Sequence, residues 1–364
     1  MIHSPNDPDP AKRYKSLAGR RGSFSPDGLR WEVPAESQNI PGDIASDMVI
    51  PFCYDELSGR YVAFGKVVRQ SGEHRRRSVS VSFSDDFLTW TPVQTILVPD
   101  DRDDEIPDHR IAALRDHVQF DDGPEWHIAQ FYGQCGFPYE GMYLGLLWVF
   151  DISGFSPRLV ERVGGRTPSI GGEDGPIQVE LTCSRDLLHW QRVGGRKLLI
   201  PVGEAGTWEA GKVVTVNRPL IVGDEIWIYY AGTQRTHGVH SDDWRNARTS
   251  GAIGLAKLRL DGWVSVYAGG EPGMLTTKPL KFAGDKLVIN ADAQDGWVGV
   301  EILGRTGQRP VPGFSLADCD RFSGDSVRNT VKWRGNSDLS PLQGRPLRLR
   351  FHLQNAKLYS FEFG

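Results

Sequence analysis

The chain has 364 residues, 39% of them hydrophobic and 24% charged, enough for one large or two medium domains around a real core. A formal net charge of −4 removes the electrostatic case for nucleic acid or an anionic membrane as partner. No apolar run approaches the roughly 20 residues that span a bilayer, and the polar, Pro-rich stretch 1–15 is not a secretory signal, so the sequence reads as cytoplasmic or as secreted with its signal elsewhere.

The 42 Gly, 23 Pro and 11 Trp favour many short strands over long helices, and the fold class is read as all-β. In chain order, the first marker is Ser25-Pro-Asp27-Gly-Leu29-Arg-Trp31. Strands over 49–54 and 61–68 flank the turn 55–59. Residues 78–83 then alternate strictly and end in a second copy, Ser84-Asp-Asp86-Phe-Leu88-Thr-Trp90. A hairpin is predicted from strands 111–120 and 126–132 around 121–124. The aromatics Phe131, Tyr132, Phe137, Tyr139 and Tyr143 fall in a loop-rich stretch, and 157–175 is a Gly-rich loop. Residues 177–183 alternate again and close with Ser184-Arg-Asp186-Leu-Leu188-His-Trp190. Strands 213–222 and 226–231 flank 223–225. The strand 252–260 leads into Asp261-Gly-Trp263, a degenerate fourth copy.

S-x-D-x-L-x-W after a strand has a local mechanism. Ser and Asp bond backbone groups and turn the chain, while Leu and Trp fold back over apolar surface. Its recurrence describes the rims of propeller blades over residues 1–273. Beyond that, short alternating strands at 287–290, 299–302, 331–333, 347–351 and 358–363 lack the marker and read as a separate β-sandwich over 274–364.

One acid follows each marker at a similar distance. Asp47 lies 22 residues after Ser25, Asp108 24 after Ser84, and Glu209 25 after Ser184. In a propeller these positions sit where each blade's first strand begins beside the axis, so three carboxylates would share one pocket. Like charges there raise at least one pKa, and a protonated acid beside an ionised carboxylate is what glycosidic cleavage needs. Trp208 beside Glu209 is a candidate stacking platform for a sugar ring. His109, Arg110 and His237 are candidate substrate contacts. Trp31, Trp90 and Trp190 are read as blade packing, and Arg75–Arg77 as a solvated hairpin tip. Cys53, Cys135, Cys183 and Cys319 have no C-x-x-C spacing, and His237 and His240 alone do not make a metal site. Neither metal nor cofactor is expected.

These segments resemble the five-bladed propeller glycoside hydrolases of families 32 and 43 and their relatives, which act on furanosides and related sugars. The marker copies match their blade ends. Asp47-Met-Val-Ile with Tyr61-Val-Ala-Phe-Gly resembles their first acidic strand, Asp108 with 126–132 the second, and Trp208-Glu209 with Arg218-Pro-Leu-Ile and Trp227-Ile-Tyr-Tyr230 the third. The resemblance implies a five-bladed propeller followed by a sandwich, catalytic Asp47, Asp108 and Glu209 with Glu209 as general acid, and a furanoside or fructan-like carbohydrate substrate. The W-M-N-D-P-N and R-D-P segments of family 32 are absent, which leaves retaining or inverting chemistry open. A non-catalytic carbohydrate-binding propeller is the alternative.

Overall fold

The computed structural model describes residues 1–45, 50–114, 127–155, 173–238 and 251–364. They form two compact units, one of Met1–Pro219 with Ile228–Ala256 and one of Leu220–Trp227 with Lys257–Gly364. Both are built of strands, as the Gly, Pro and Trp content predicts.

The first unit is a succession of antiparallel sheets, each made of chain neighbours. Strands β1 (Ile2–His3), β2 (Tyr14–Ala18) and β3 (Arg21–Ser25) form the first sheet. The second is a four-stranded meander of β4 (Phe52–Asp55), β5 (Arg60–Ser71), β6 (His74–Ser84) and β7 (Gln94–Leu97). After the α-helix α1 (Ile106–Ala112) come β8 (Ala129–Tyr139) and β9 (Met142–Asp151). A two-stranded pair joins β10 (Gly154–Phe155) to β11 (Glu173–Asp174). Then β12 (Ile177–Ser184) pairs with β9 on one side and with β13 (Trp190–Arg192) and β14 (Leu198–Ile200) on the other. Strand β15 (Lys212–Thr215) touches the start of β12 in parallel at Ile177↔Lys212.

After β16 (Leu220–Val222), β17 (Glu225–Thr233) runs antiparallel to β15, and β18 (Gly251–Arg259) lies on its other side.

Neighbouring sheets pack face to face, and because successive side chains point to opposite sides, a central strand such as β5 serves two interfaces. Phe24 and Ile40 meet Phe52, Ala63 and Phe87 between the first and second sheets. Val62, Phe64, Val79 and Val81 meet Phe131, Leu147, Val149 and Trp190 between the second and third. The second contact is close: a Cβ on Gly136 would sit 2.3 Å from the Phe64 ring, so only glycine lets that ring reach the β8 backbone.

The three marker segments fold into one turn. In each, the Ser hydroxyl accepts from the backbone N–H three residues on, at 2.8 Å for Gly28 and Phe87 and 3.0 Å for Leu187. The same hydroxyl donates to the Asp at 3.1 Å in all three. Each Asp carboxylate then accepts two further N–H groups at 2.7–2.9 Å. The residue after Asp is left-handed, with φ of 77° at Gly28 and 65° at Phe87 and Leu187. A side chain there costs about 1–2 kcal/mol; burying Phe87 and Leu187 against the sheets returns about 1.5–3 kcal/mol each. Trp90 and Trp190 are packed as expected, whereas Trp31 is 39% exposed.

Four local expectations are corrected. Residues 106–112 are helical where a strand was expected from 111; Pro107 at the helix start and Asp108 in the first turn favour a helical turn, and 115–126 lie outside the described residues. Strand 213–222 is broken into β15 and β16 by Asn217-Arg218-Pro219, since Pro219 cannot donate to a ladder. The aromatics 131–143 are not in loops but on β8 and β9, which meet at the positive-φ pair Glu140 (44°) and Gly141 (73°) of a tight hairpin. Arg76 and Arg77 are buried, not solvated: Arg76 pairs with Asp104 and Arg77 with Glu173.

In the second unit, β19 (Val266–Ala268), β20 (Gly273–Thr276), β21 (Leu287–Gly304), β22 (Phe322–Thr330), β23 (Leu347–Gln354) and β24 (Ala356–Phe363) form one six-stranded sheet. The segments 287–290 and 299–302 are parts of the 18-residue β21, which is irregular between Ala293 and Val298 and pairs with β24 before that point and β23 after it. Residues 331–333 follow a strand rather than form one; β22 precedes them. Alternate residues Leu347, Leu349, Phe351 and Leu353 line a single core with Ile289, Val300, Ile302 and Trp333.

Candidate active site

Glu209 sits in the loop between β14 and β15. That loop closes on itself through Gly203 N–H to the Glu209 carbonyl (3.2 Å) and is tied to β17 through Gly211 N–H to the Thr233 carbonyl (3.0 Å). Two glycines make room for its side chains. A Cβ on Gly232 would meet the Trp208 ring at 2.6 Å and Glu209 Cβ at 2.8 Å, and one on Gly203 would meet Glu209 Cγ at 2.8 Å. The Tyr230 hydroxyl, from β17, donates to Glu209 Oε2 at 2.5 Å. The Trp208 ring lies over the Tyr230 ring with centroids 5.8 Å apart and planes within 11°. Burial, then the Glu209 hydrogen bond and charge, push the Tyr230 phenol up to about 12, so it stays a donor at neutral pH. Glu209 Oε1 has no hydrogen-bond partner among the described residues. Sequence reasoning placed Trp208 and Glu209 together; Tyr230 was present in the Trp227-Ile-Tyr-Tyr230 motif but had no role assigned.

His237 follows β17. Its ring meets Tyr132 edge-on at 4.5 Å and Phe150 at 5.1 Å, and the His237 backbone N–H donates to the Gly175 carbonyl at 3.0 Å. Lys66 Nζ stands 4.6 Å over the Tyr132 ring, and the Arg77 guanidinium 5.6 Å over Phe150. Arg77 grips Glu173 with two parallel bonds of 3.1 and 3.2 Å and bonds Gln130 Oε1 at 2.5 Å. Burial first, then the charges of Lys212, Arg77 and Lys66, pull the His237 imidazole down to about 4 against the opposing pull of Glu173. It is therefore neutral at pH 7 and able to accept or donate one hydrogen bond. Lys66, Arg77 and Glu173 were missed. One available signal for Glu173 was the Gly-rich stretch 157–175, near whose end it lies.

Asp108 lies on α1, half exposed, with Oδ1 2.7 Å from His127 Nδ1. His109, next to it, is exposed. Arg110 turns inward from the same helix. It pairs with Glu180 at 2.5 Å and with Asp151 at 3.4 Å, and donates to the Arg196 carbonyl at 2.6 Å. Glu180 also receives Arg192 Nε and Nη2, both at 2.6 Å, and Arg192 Nη1 reaches Asp103 at 2.6 Å. Asp103, Asp151 and Glu180 are fully buried. Desolvation lifts Asp151 to about 6 despite Arg110. Arg110 thus spends its guanidinium on carboxylates of the fold. The structure brings Trp208 and Glu209 together, and gives Asp108, Arg110 and His237 separate partners. Asp47 lies outside the described residues, as does His240; the chain on either side of Asp47 is held by Ala45 N–H to the Lys66 carbonyl and Phe64 N–H to the Pro51 carbonyl, both 2.8 Å. Among the described residues no group of three or more His, Cys, Asp or Glu side chains is placed to hold a metal ion.

No family model matches the sequence, and no curated protein matches it. Solved structures do resemble the fold. An N-acetylgalactosamine deacetylase from F. plautii, in complex with blood group B trisaccharide, is 14% identical with a TM-score of 0.39, over 67% of this chain and 65% of that one. The chain therefore spans slightly less than two thirds of that neighbour's length. A glycoside hydrolase family 43 arabinoxylan arabinofuranohydrolase from Bacillus subtilis is 11% identical, TM-score 0.32, over 94% of this chain and 73% of that one. A family 32 β-fructofuranosidase from Bombyx mori is 11% identical, TM-score 0.28, over 95% and 86%. Members of families 32 and 43, whose motifs the sequence resembles, are both among the solved structures it is similar to.

Proposed function

We propose that this protein is a glycoside hydrolase built on a five-bladed β-propeller with a C-terminal β-sandwich, acting on a furanoside or fructan-like carbohydrate. One observation carries the reading: Glu209 has one carboxylate oxygen anchored by Tyr230 and the other open, beside the stacked Trp208. An acid that protonates a leaving oxygen needs a fixed rotamer and a free oxygen aimed at substrate, and a sugar ring needs an aromatic face. Glu209 is the general acid. Asp47 and Asp108 are the other two acidic residues, one attacking the anomeric carbon or activating water and one orienting hydroxyls. The neutral His237, between Tyr132 and Phe150, contacts the sugar.

Turnover of nitrophenyl furanosides, inulin and levan by the wild type and by Glu209→Gln tests this. The expected loss is at least about 10³-fold in kcat with circular dichroism unchanged. Full hydrolysis by the variant overturns the assignment of Glu209. Sugar binding by the wild type with no product released would favour a propeller that binds carbohydrate without cleaving it.

A further inference from the structure

The second unit contains a cleft of about 330 Å³ lined by Tyr267, Asp292, Asp295, Asn355, Ala356 and Lys357. Its floor is set by strand register. Lys357 on β24 is paired with Tyr267 on β19 and with Asp292 on β21, so the three stand in one row across adjacent strands. Directly opposed residues project to the same face about 4.5–5.5 Å apart. Its wall is set by a close backbone approach. A Cβ on Gly296 would lie 1.8 Å from the Gln354 carbonyl and 2.9 Å from Asn355 Cβ, so glycine alone lets the irregular part of β21 press against the β23–β24 turn. Asn355 forms that turn at φ 44° and is held by its N–H on the Gly269 carbonyl at 2.8 Å.

These groups have bonding capacity in hand. Tyr267 is 64% exposed and its ring has no aromatic or cationic neighbour among the described residues. The Asp295 carboxylate and the Asn355 amide have no hydrogen-bond partner there either, and Lys357 reaches Asp292 only at 4.0 Å. The size suits one or two sugar rings, at the small end of ligand sites. Two carboxylates against one ammonium leave a net negative lining, which disfavours an anionic ligand. Carboxylates and an amide match vicinal hydroxyls, and an open tyrosine face matches the C–H side of a pyranose or furanose.

We infer that this cleft is a binding site for a neutral carbohydrate, carried by the second unit in addition to the proposed catalytic centre. The test uses the full chain in the Glu209→Gln background, so that hydrolysis does not consume the ligand. Electrophoretic retardation and calorimetry are run with inulin, levan, arabinan and xylan. At least one polymer should retard the protein, and Tyr267→Ala should weaken that association tenfold or more, with Asp295→Asn weakening it severalfold. Tyr267→Ala in the otherwise native protein should hydrolyse a short nitrophenyl substrate at the native rate, which separates failure of this site from failure of the catalytic reading. Equal retention by the Tyr267 and Asp295 variants overturns the inference, as does retention by none of the polymers. A thermal upshift with calcium that Asp295→Asn abolishes, without any polysaccharide effect, would make the cleft a cation site and overturn it too.

Discussion

Replacing Arg192 by Met should expose how much the first unit depends on its buried charges. Arg192 is 6% exposed in its side chain and makes three bonds of 2.6 Å to Glu180 and Asp103, both wholly buried. Burial works against its charge, but the bonds and charges of those two carboxylates outweigh it and raise its pKa. Arg192, Arg110 and Arg196 stand against three buried carboxylates, Asp103, Asp151 and Glu180, and Arg196 also pairs with the half-exposed Asp100. Arg192→Met leaves one buried negative charge uncompensated, which costs about 3–5 kcal/mol. At a slope of about 3 kcal/mol/M this lowers the urea midpoint by about 1–1.7 M.

The loss must also depend on pH. An unpaired buried carboxylate takes up its proton at a higher pH in the folded than in the unfolded chain. The variant is therefore penalised least below the ordinary carboxylate value of about 4, where both states are protonated, and increasingly as pH rises from there to the folded value. Asp151, already lifted to about 6, is the first group to take the proton. Adding Glu180→Gln restores neutrality, so the double variant should be more stable than the sum of the singles by at least about 1.5 kcal/mol. Urea melts followed by tryptophan fluorescence at pH 5 and pH 8 measure all of this. A pH-independent cost below about 1 kcal/mol, or strict additivity, would refute the charge-balance reasoning.

Tyr230→Phe keeps the ring against Trp208 but releases Glu209 Oε2, so kcat should fall about tenfold to a hundredfold with KM nearly unchanged; steady-state kinetics with unchanged kcat would remove Tyr230 from the site. His237 titrates near 4 in the folded chain against an ordinary 6.5, so the unfolded chain takes up a proton that the folded one refuses and stability declines as pH falls from about 6.5 to 4. Urea midpoints across that range should fall less steeply for His237→Gln than for the wild type. Identical slopes would mean that the imidazole is not held neutral.

What could be read from the chain beforehand is what depends on neighbours in sequence. The marker turns are closed by bonds spanning two or three residues, and all three copies fold alike down to the hydroxyl–carboxylate contact. Strict alternation over 78–83 and 177–183 fell inside β6 and β12 because each strand buries its core face. Trp208 beside Glu209 is likewise a one-residue relation.

What escaped is long-range. Arg77 reads as part of a basic hairpin tip until Glu173, 96 positions later, neutralises it. Arg110 reads as a free hydroxyl-gripping cation until Glu180, 70 positions on, takes its guanidinium. Arg192 and Asp103 are 89 apart. Period and composition have no term for such pairs, since opposite charges that meet inside a fold look the same in sequence as charges that face water. The signal that does exist is indirect. A basic run that opens a strand whose next residues alternate, as at 74–84, enters a central strand covered on both faces, so that Arg76 and Arg77 are both buried. An alternating strand with arginines on its inward positions therefore demands partner carboxylates elsewhere in the chain. Here the demand from Arg77 is met by Glu173 at the end of the Gly-rich stretch. Both residues also act on His237: burial is the main reason its imidazole stays neutral, Arg77 adds to that effect, and Glu173 opposes it.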